Sequence, residues 1–345
     1  MKNVVVIGGG FTGAFVAKQL ESEFKVTLLD SKNFFEFTPS ILRTIVEPTH
    51  AKRVQVLHTD YLKKTKVIMV CAIKFDLKKV YLDKGNALSY DYLVIASGSS
   101  YGSGIKVENV VLASRANMLK ETYGKVKEAK DIVIVGGGIV GVELAAEIVS
   151  FYPKKNITLL HSRESLIQRN SFKAQRYAKN FLEKKNVKVV LGDRAVTFDK
   201  RDVVTKKGQT ILSDVSFSCV GISPHSGFVK KSYSKAVNER GAVVVNPFLQ
   251  VAGFENVFAG GDVTSVNEEK TAQNAEKHAH VIAKNIKHLE KKEKLESYSK
   301  GDKPMIISLG KWHGVIEYKG YTLTGLIPGL LKVIPELKTM WSLRN

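Results

Sequence analysis

Residues 4–30 read VVVIGGGFTGAFVAKQLESEFKVTLLD. Val4 to Ile7 is a β-branched, apolar run of the length of one buried strand. It passes into Gly8-Gly9-Gly10-Phe11-Thr12-Gly13, a helical pattern follows to about Glu23, and a second apolar strand, Val26 to Leu29, ends on Asp30. Strand, glycine turn, helix, strand and acid, in that order, make a dinucleotide-binding unit of a parallel α/β sheet. Gly8 permits the tight turn, Gly10 lets the backbone approach a pyrophosphate, and Gly13 lets the helix pack on the sheet. The helix N-terminus turns its free N–H groups toward phosphate, and Asp30 falls where a carboxylate bonds a ribose diol.

The pattern returns further along the chain. Asp131 to Val135 is a leading strand, Gly136-Gly137-Gly138-Ile139-Val140-Gly141 is the turn, Val142 to Phe151 reads as helix and Ile157 to Leu160 as the next strand. In this copy His161-Ser162-Arg163 stands where the acid was. These residues would not repel the 2′-phosphate of NADPH, or they are simply loop residues. Two such units point to two dinucleotides face to face, one resident and one exchanging. The first reads as the FAD site and the second as the site for NADH or NADPH.

Three later strand ends fit between two nucleotides. Tyr92 to Ile95 ends in Ala96-Ser97-Gly98, and Phe217 to Val220 ends in Gly221, so the chain passes close to a ligand without a side-chain clash. Asn256 to Ala259 runs into Gly260-Gly261-Asp262, which places Asp262 against flavin ribityl hydroxyls. Lys270-Thr271-Ala272-Gln273 then opens a helix to about Lys287, whose positive end suits negative charge on a reduced flavin.

Composition sets the class. The 345 residues are 44% hydrophobic and 25% charged, as in an ordinary globular protein of about two domains. The net charge is +20, with nineteen basic against seven acidic residues between positions 151 and 240. Nucleic acid, an anionic membrane or an acidic partner would each answer that charge. No nucleic-acid-reading motif accompanies it, so no nucleic-acid partner is expected. Cys71 and Cys219 are far apart, so neither a disulfide framework nor a C-x-x-C relay is available, and the flavin is expected to meet its acceptor directly. No residue is assigned to a metal. No signal peptide, membrane-spanning run or myristoylation glycine (position 2 is Lys) is present, which gives a cytoplasmic expectation.

The stretches Val4–Phe11, Ile41–Glu47, Ile132–Ile148, Leu160–Ser162, Asn256–Asp262, His278–Ala279 and Lys338–Met340 resemble the two-dinucleotide-binding-domain flavoproteins of the apoptosis-inducing-factor-like branch, over nearly the whole chain. The resemblance implies two Rossmann-like domains, an FAD domain (1–115 and 233–301) interrupted by an NAD(P)H domain (116–232), and a small C-terminal α+β region (302–345) over the flavin. It implies a flavoprotein that passes electrons from NAD(P)H to a quinone. It also implies that Arg43 contacts FAD phosphate, Ala72 bonds adenine through its backbone, Glu143 faces the nicotinamide and Lys338 lies near the flavin. Gln273 has no clear match in the branch. Without the family, Glu143 is either a carboxylate for the nicotinamide carboxamide or an acid favoured by the helix dipole, and Lys338 is either at the flavin or solvated.

Beyond Met305–Leu309 and Tyr318–Leu323, read as strands, the apolar residues Leu323, Leu326, Ile327, Leu330, Leu331, Ile334 and Leu337 keep helical spacing, broken by Pro328 and Pro335. This face either dips into a membrane, giving peripheral attachment, or packs over the flavin domain. A homodimer is a further expectation. Two other functions stay open: a reductase for a ferredoxin or rubredoxin, served by the basic middle of the chain, and a non-catalytic binding protein controlled by flavin state.

Overall fold

The computed structural model describes residues 1–100, 112–198, 201–301 and 303–344. The first sheet has five parallel strands in the spatial order Val257–Ala259, Tyr92–Ile95, Asn3–Ile7, Lys25–Asp30 and Lys66–Met69. The register is set by pairs such as Val5 with Thr27 and Val5 with Leu93. Strands covered on both faces are apolar throughout, and Val4 to Ile7 accordingly face two cores. One core packs the helices Phe11–Leu20 and Ala272–Lys291 against the sheet, and the other lies under the antiparallel strands Ala72–Phe75, Lys79–Leu82 and Ala87–Ser89.

The second sheet repeats the plan with four parallel strands, Lys188–Val190, Asn156–Leu160, Asp131–Val135 and Val215–Ser218. Its helix begins at Ile139, three residues earlier than the apolar pattern suggests, because Gly138 is the residue that leaves extended geometry for the first turn. Ser99–Ser100 pairs antiparallel with Ser223–Pro224, tying together the two segments that pass between the sheets.

The C-terminal region is a three-stranded antiparallel sheet, Met305–Leu309, His313–Tyr318 and Tyr321–Gly325, followed by the helices Leu326–Leu331 and Val333–Arg344. The expected strand over 318–323 straddles a hairpin turn instead. Lys319 and Gly320 have φ of 47° and 81°, the two positive values that a two-residue turn needs to match strand twist. Ile307, Leu309 and Val315 are buried in the same core as the helix Ile139–Phe151, so this sheet is fastened to the second unit.

Candidate active site

A cavity of about 1290 Å³ lies where both sheets point the C-terminal ends of their strands, and the C-terminal region closes one side. The first glycine loop forms part of its wall. Gly8 has φ of 97°, and a Cβ there would meet Ala96 O at 2.3 Å; one on Gly13 would meet Gly8 O at 1.7 Å. Gly10 is different, because a Cβ on it would meet nothing within 4 Å. The helix Phe11–Leu20 has neither a side-chain cap nor an acid in its first turn. An uncapped helix N-terminus facing open space fits a dinucleotide pyrophosphate. The helix Ile139–Phe151 is likewise uncapped and free of first-turn acid, and Gly138 likewise faces open space.

The cavity wall carries Gly8, Gly9, Gly10, Phe11, Thr12 and Asp30, then Arg43, Ala96, Ser97 and Gly98, and finally Gly221, Asp262, Lys270, Thr271 and Ala272. Glu143 and Lys338 also line it. Gly13 packs behind the loop, against Gly8. Ala72 does not line the cavity; it pairs with Leu82 in the small antiparallel sheet, so the expected adenine contact has no support from its position. Gly136, Gly138, Gly141, His161, Ser162 and Arg163 surround the second loop outside the cavity, which that unit enters through residues that include Ile139, Val140, Glu143, Glu147, Cys219 and Gly221.

Several polar groups are already engaged. Asp30 accepts from Gly9 N–H (2.9 Å) and Lys32 N–H (3.1 Å), and lies 3.0 Å from His58 Nε2. Burial raises its pKa, but His58 and Lys32 outweigh that and hold it below the usual carboxylate value. His161 does for the second loop what Asp30 does for the first, its Nδ1 accepting Gly137 N–H at 3.1 Å. Burial and then Arg163 lower its pKa, so the loop is held by a neutral acceptor instead of an anion. Asp262 accepts from Ser99 Oγ at 2.8 Å. Thr271 caps the helix Ala272–Lys291 by accepting Asn274 N–H at 3.2 Å, which uses one of the amides expected to face the flavin.

Four side chains meet where the C-terminal sheet crosses the second unit's helix. Arg43 forks onto Glu147 through Nε (2.7 Å) and Nη2 (2.8 Å), so much of the guanidinium expected at a phosphate is committed to a buried carboxylate. Glu143 accepts Ser308 N–H at 2.8 Å. Burial drives its pKa up to about 8, Ser308 N–H opposes the rise, and Glu147 adds to it. Lys332 donates to Ser308 Oγ at 2.8 Å and to Gly310 O, and burial pushes it down to about 8. Because the helix starts at Ile139, Glu143 lies beyond the first turn, where the dipole has little hold. Lys332 was not among the residues singled out from sequence, and neither was Glu147; no local motif marks them.

A model of the pyridine nucleotide-disulphide oxidoreductase family matches residues 2–279. Apoptosis-inducing factor homolog A of Dictyostelium discoideum is 36% identical over 314 residues, which cover 84% of this chain and 77% of that protein. Ferroptosis suppressor protein 1 of Homo sapiens is 31% identical over 343 residues, covering 96% and 92%. Among solved structures, the sulfide:quinone oxidoreductase of Aquifex aeolicus superposes with a TM-score of 0.85 at 20% identity, covering 100% of this chain and 92% of that one. NDH2 of Plasmodium falciparum in complex with NADH gives 0.84 at 16% identity, covering 99% and 96%.

Proposed function

The chain belongs to the pyridine nucleotide-disulphide oxidoreductase family and is an FAD- and NAD(P)H-dependent oxidoreductase; from that premise we propose that its electron acceptor is a quinone. The observation that carries this reading is the cavity wall. Cys219 is the one cysteine on it, the chain holds only two, and burial pushes the Cys219 thiol up to about 12, so no disulfide relay can be built. An acceptor must then enter the cavity. Ferroptosis suppressor protein 1 is a named relative, and the sulfide:quinone oxidoreductase shares the fold.

The first loop, with Asp30, Ser97, Gly98 and Asp262, would hold FAD, which when bound supplies the two-electron carrier between nucleotide and acceptor. Gly138, His161 and Gly221 would hold NAD(P)H; with no acid at position 161 and Arg163 exposed nearby, either nucleotide is accommodated. Glu143 would orient the carboxamide. Turning a quinone into a quinol on electrons from NADH takes up one proton from solution. Lys332, which burial pulls down to about 8, lines the cavity and is suited to pass it.

Turnover of NADH with a short-chain ubiquinone tests the reading. Reduction of cytochrome c only when a ferredoxin or rubredoxin is added would replace it with the one-electron reading, and no turnover with either would leave a binding protein. Within the quinone reading, Lys332→Met is expected to slow reoxidation by quinone on the order of 10²-fold while NADH still reduces the flavin at its normal rate. Glu143→Ala is expected to slow that first half-reaction instead. Stopped-flow absorbance separates the two, and equal effects on both half-reactions would refute the division.

A lipid-soluble acceptor also calls for a lipid surface. No helix among the described residues is long and apolar enough to cross a membrane. The C-terminal helices instead expose Leu326, Ile327, Leu330, Ile334, Leu337 and Trp341, each more than half accessible, and Leu330 and Ile334 reach the cavity. An apolar face of this size beside the cavity mouth fits shallow insertion into a bilayer. Flotation with vesicles of phosphatidylcholine and phosphatidylserine is expected to carry the protein, and Ile334→Glu with Leu337→Glu to leave most of it at the bottom.

A further inference from the structure

At the cavity wall two chains of three side chains repeat one chemistry, the first buried throughout and the second buried at His278 and partly exposed at Tyr298. In the first, Tyr61 OH lies 2.7 Å from His58 Nδ1, His58 Nε2 lies 3.0 Å from Asp30 Oδ2, and Asp30 Oδ2 accepts Gly9 N–H at 2.9 Å. Asp30 is an anion and Tyr61 holds its proton, since burial raises the phenol well above its usual value. Tyr61 therefore donates to Nδ1, and Nε2–H donates to Asp30. His58 is fully buried, and Tyr61 and Asp30 nearly so.

In the second, Tyr298 OH donates to Glu268 Oε2 at 2.6 Å, Glu268 Oε1 lies 3.1 Å from His278 Nε2, and His278 Nδ1 accepts Gly261 N–H at 2.9 Å. The middle contact is oblique, leaving both of its atoms without a formal hydrogen bond, so it acts as an electrostatic one. The amide bond puts the imidazole proton on Nε2, facing the carboxylate. The Tyr298 ring edge closes on His278 at 4.4 Å between centroids.

Each chain ends on the backbone N–H of a glycine in the cavity wall, Gly9 in one and Gly261 in the other. Both glycines belong to the half assigned to the flavin. The corresponding N–H of the second loop, on Gly137, meets only His161, which is half-buried, and no carboxylate is paired with that ring among the ion pairs of the described residues. We propose that the two tyrosine–histidine–carboxylate chains are what make the flavin resident. They fix the two turns before the ligand arrives, so little ordering is needed on binding, while the Gly137 turn, held by one half-buried imidazole on its N–H and by Ile167 N–H on its carbonyl with no carboxylate behind them, binds a nucleotide that leaves. His58, Tyr61, His278 and Tyr298 are thus positioning residues. The inference rests on the assignment of FAD to the first loop.

The test is FAD release from purified holoenzyme, followed by flavin fluorescence after dilution. Tyr61→Phe and Tyr298→Phe, which keep the ring, are each expected to release FAD about three- to tenfold faster, the worth of roughly one hydrogen bond. His278→Asn keeps an acceptor for Gly261 N–H where Nδ1 was, and His278→Gln does not. The Asn variant is expected to hold FAD more tightly than the Gln variant. The KM for NADH is expected to be unchanged in all four. Wild-type release rates throughout, Asn no better than Gln, or a parallel rise in KM would overturn the proposal. Gly10→Asp keeps the two failures apart: if it retains flavin, the site assignment itself is wrong, whereas if it loses flavin and the four variants do not, only the chains are refuted.

Discussion

Gly10→Asp is expected to yield a folded, colourless protein without bound FAD and with activity reduced at least a hundredfold. A Cβ on Gly10 meets nothing within 4 Å, so the fold has room for the side chain. The space it enters lies in front of an uncapped helix N-terminus, and the carboxylate would both fill it and satisfy the amides that a phosphate would otherwise use. Gly138→Asp makes the same change at the second loop, where the space is equally open. It is expected to leave the protein yellow and to raise the KM for NADH at least tenfold, the smaller cost falling on the ligand that exchanges. Absorbance near 450 nm of the purified variants, followed by steady-state kinetics, checks both. A yellow Gly10→Asp or a colourless Gly138→Asp would reverse the assignment of the two loops.

Arg43→Ala is expected to cost stability as much as function. The Arg43 and Glu147 side chains are 14% and 5% exposed, and the guanidinium is the direct partner of the carboxylate. Removing it leaves an unpaired charge in a place water barely reaches, a loss of roughly 3–5 kcal/mol. Replacing both, as Arg43→Met with Glu147→Met, is expected to recover most of that loss, because the cost lies in the orphaned charge more than in the missing pair. Urea unfolding of the single and double variants measures it; a single-variant loss below about 1 kcal/mol would mean that Glu147 finds another partner.

The difference between what these residues do and how they read in the sequence is one of range. The glycine loops are legible because their geometry is local: the shortest contact a Cβ on Gly13 would make is with Gly8, five positions away, and Gly136 and Gly141 repeat the relation. The same holds for the strands, whose continuous Val and Ile runs follow from burial on both faces. Arg43 and Glu147 are 104 positions apart, and Ser308 and Glu143 are 165. Nothing in the neighbourhood of Lys332 distinguishes it from Lys338, which also lines the cavity. Its consequence comes from Ser308 and Gly310, brought to it by the hairpin at Lys319-Gly320. That hairpin was itself missed, because a lysine at positive φ carries no turn signal of the strength of Asn-Gly. Ala72, a position chosen by resemblance, stands at a sheet edge just beyond Met69 and Val70, which pair with Asp30, and is not itself on the cavity wall.

Cys219 gives the wall a last property. It sits beside Gly136 and Gly141, where burial pushes its thiol up to about 12 and disfavours the thiolate. Oxidation and alkylation of cysteine both begin from the thiolate. The cavity's cysteine is therefore a poor target: peroxide formed nearby meets no thiolate there, and a small molecule designed to block this cavity has to succeed without a cysteine to alkylate.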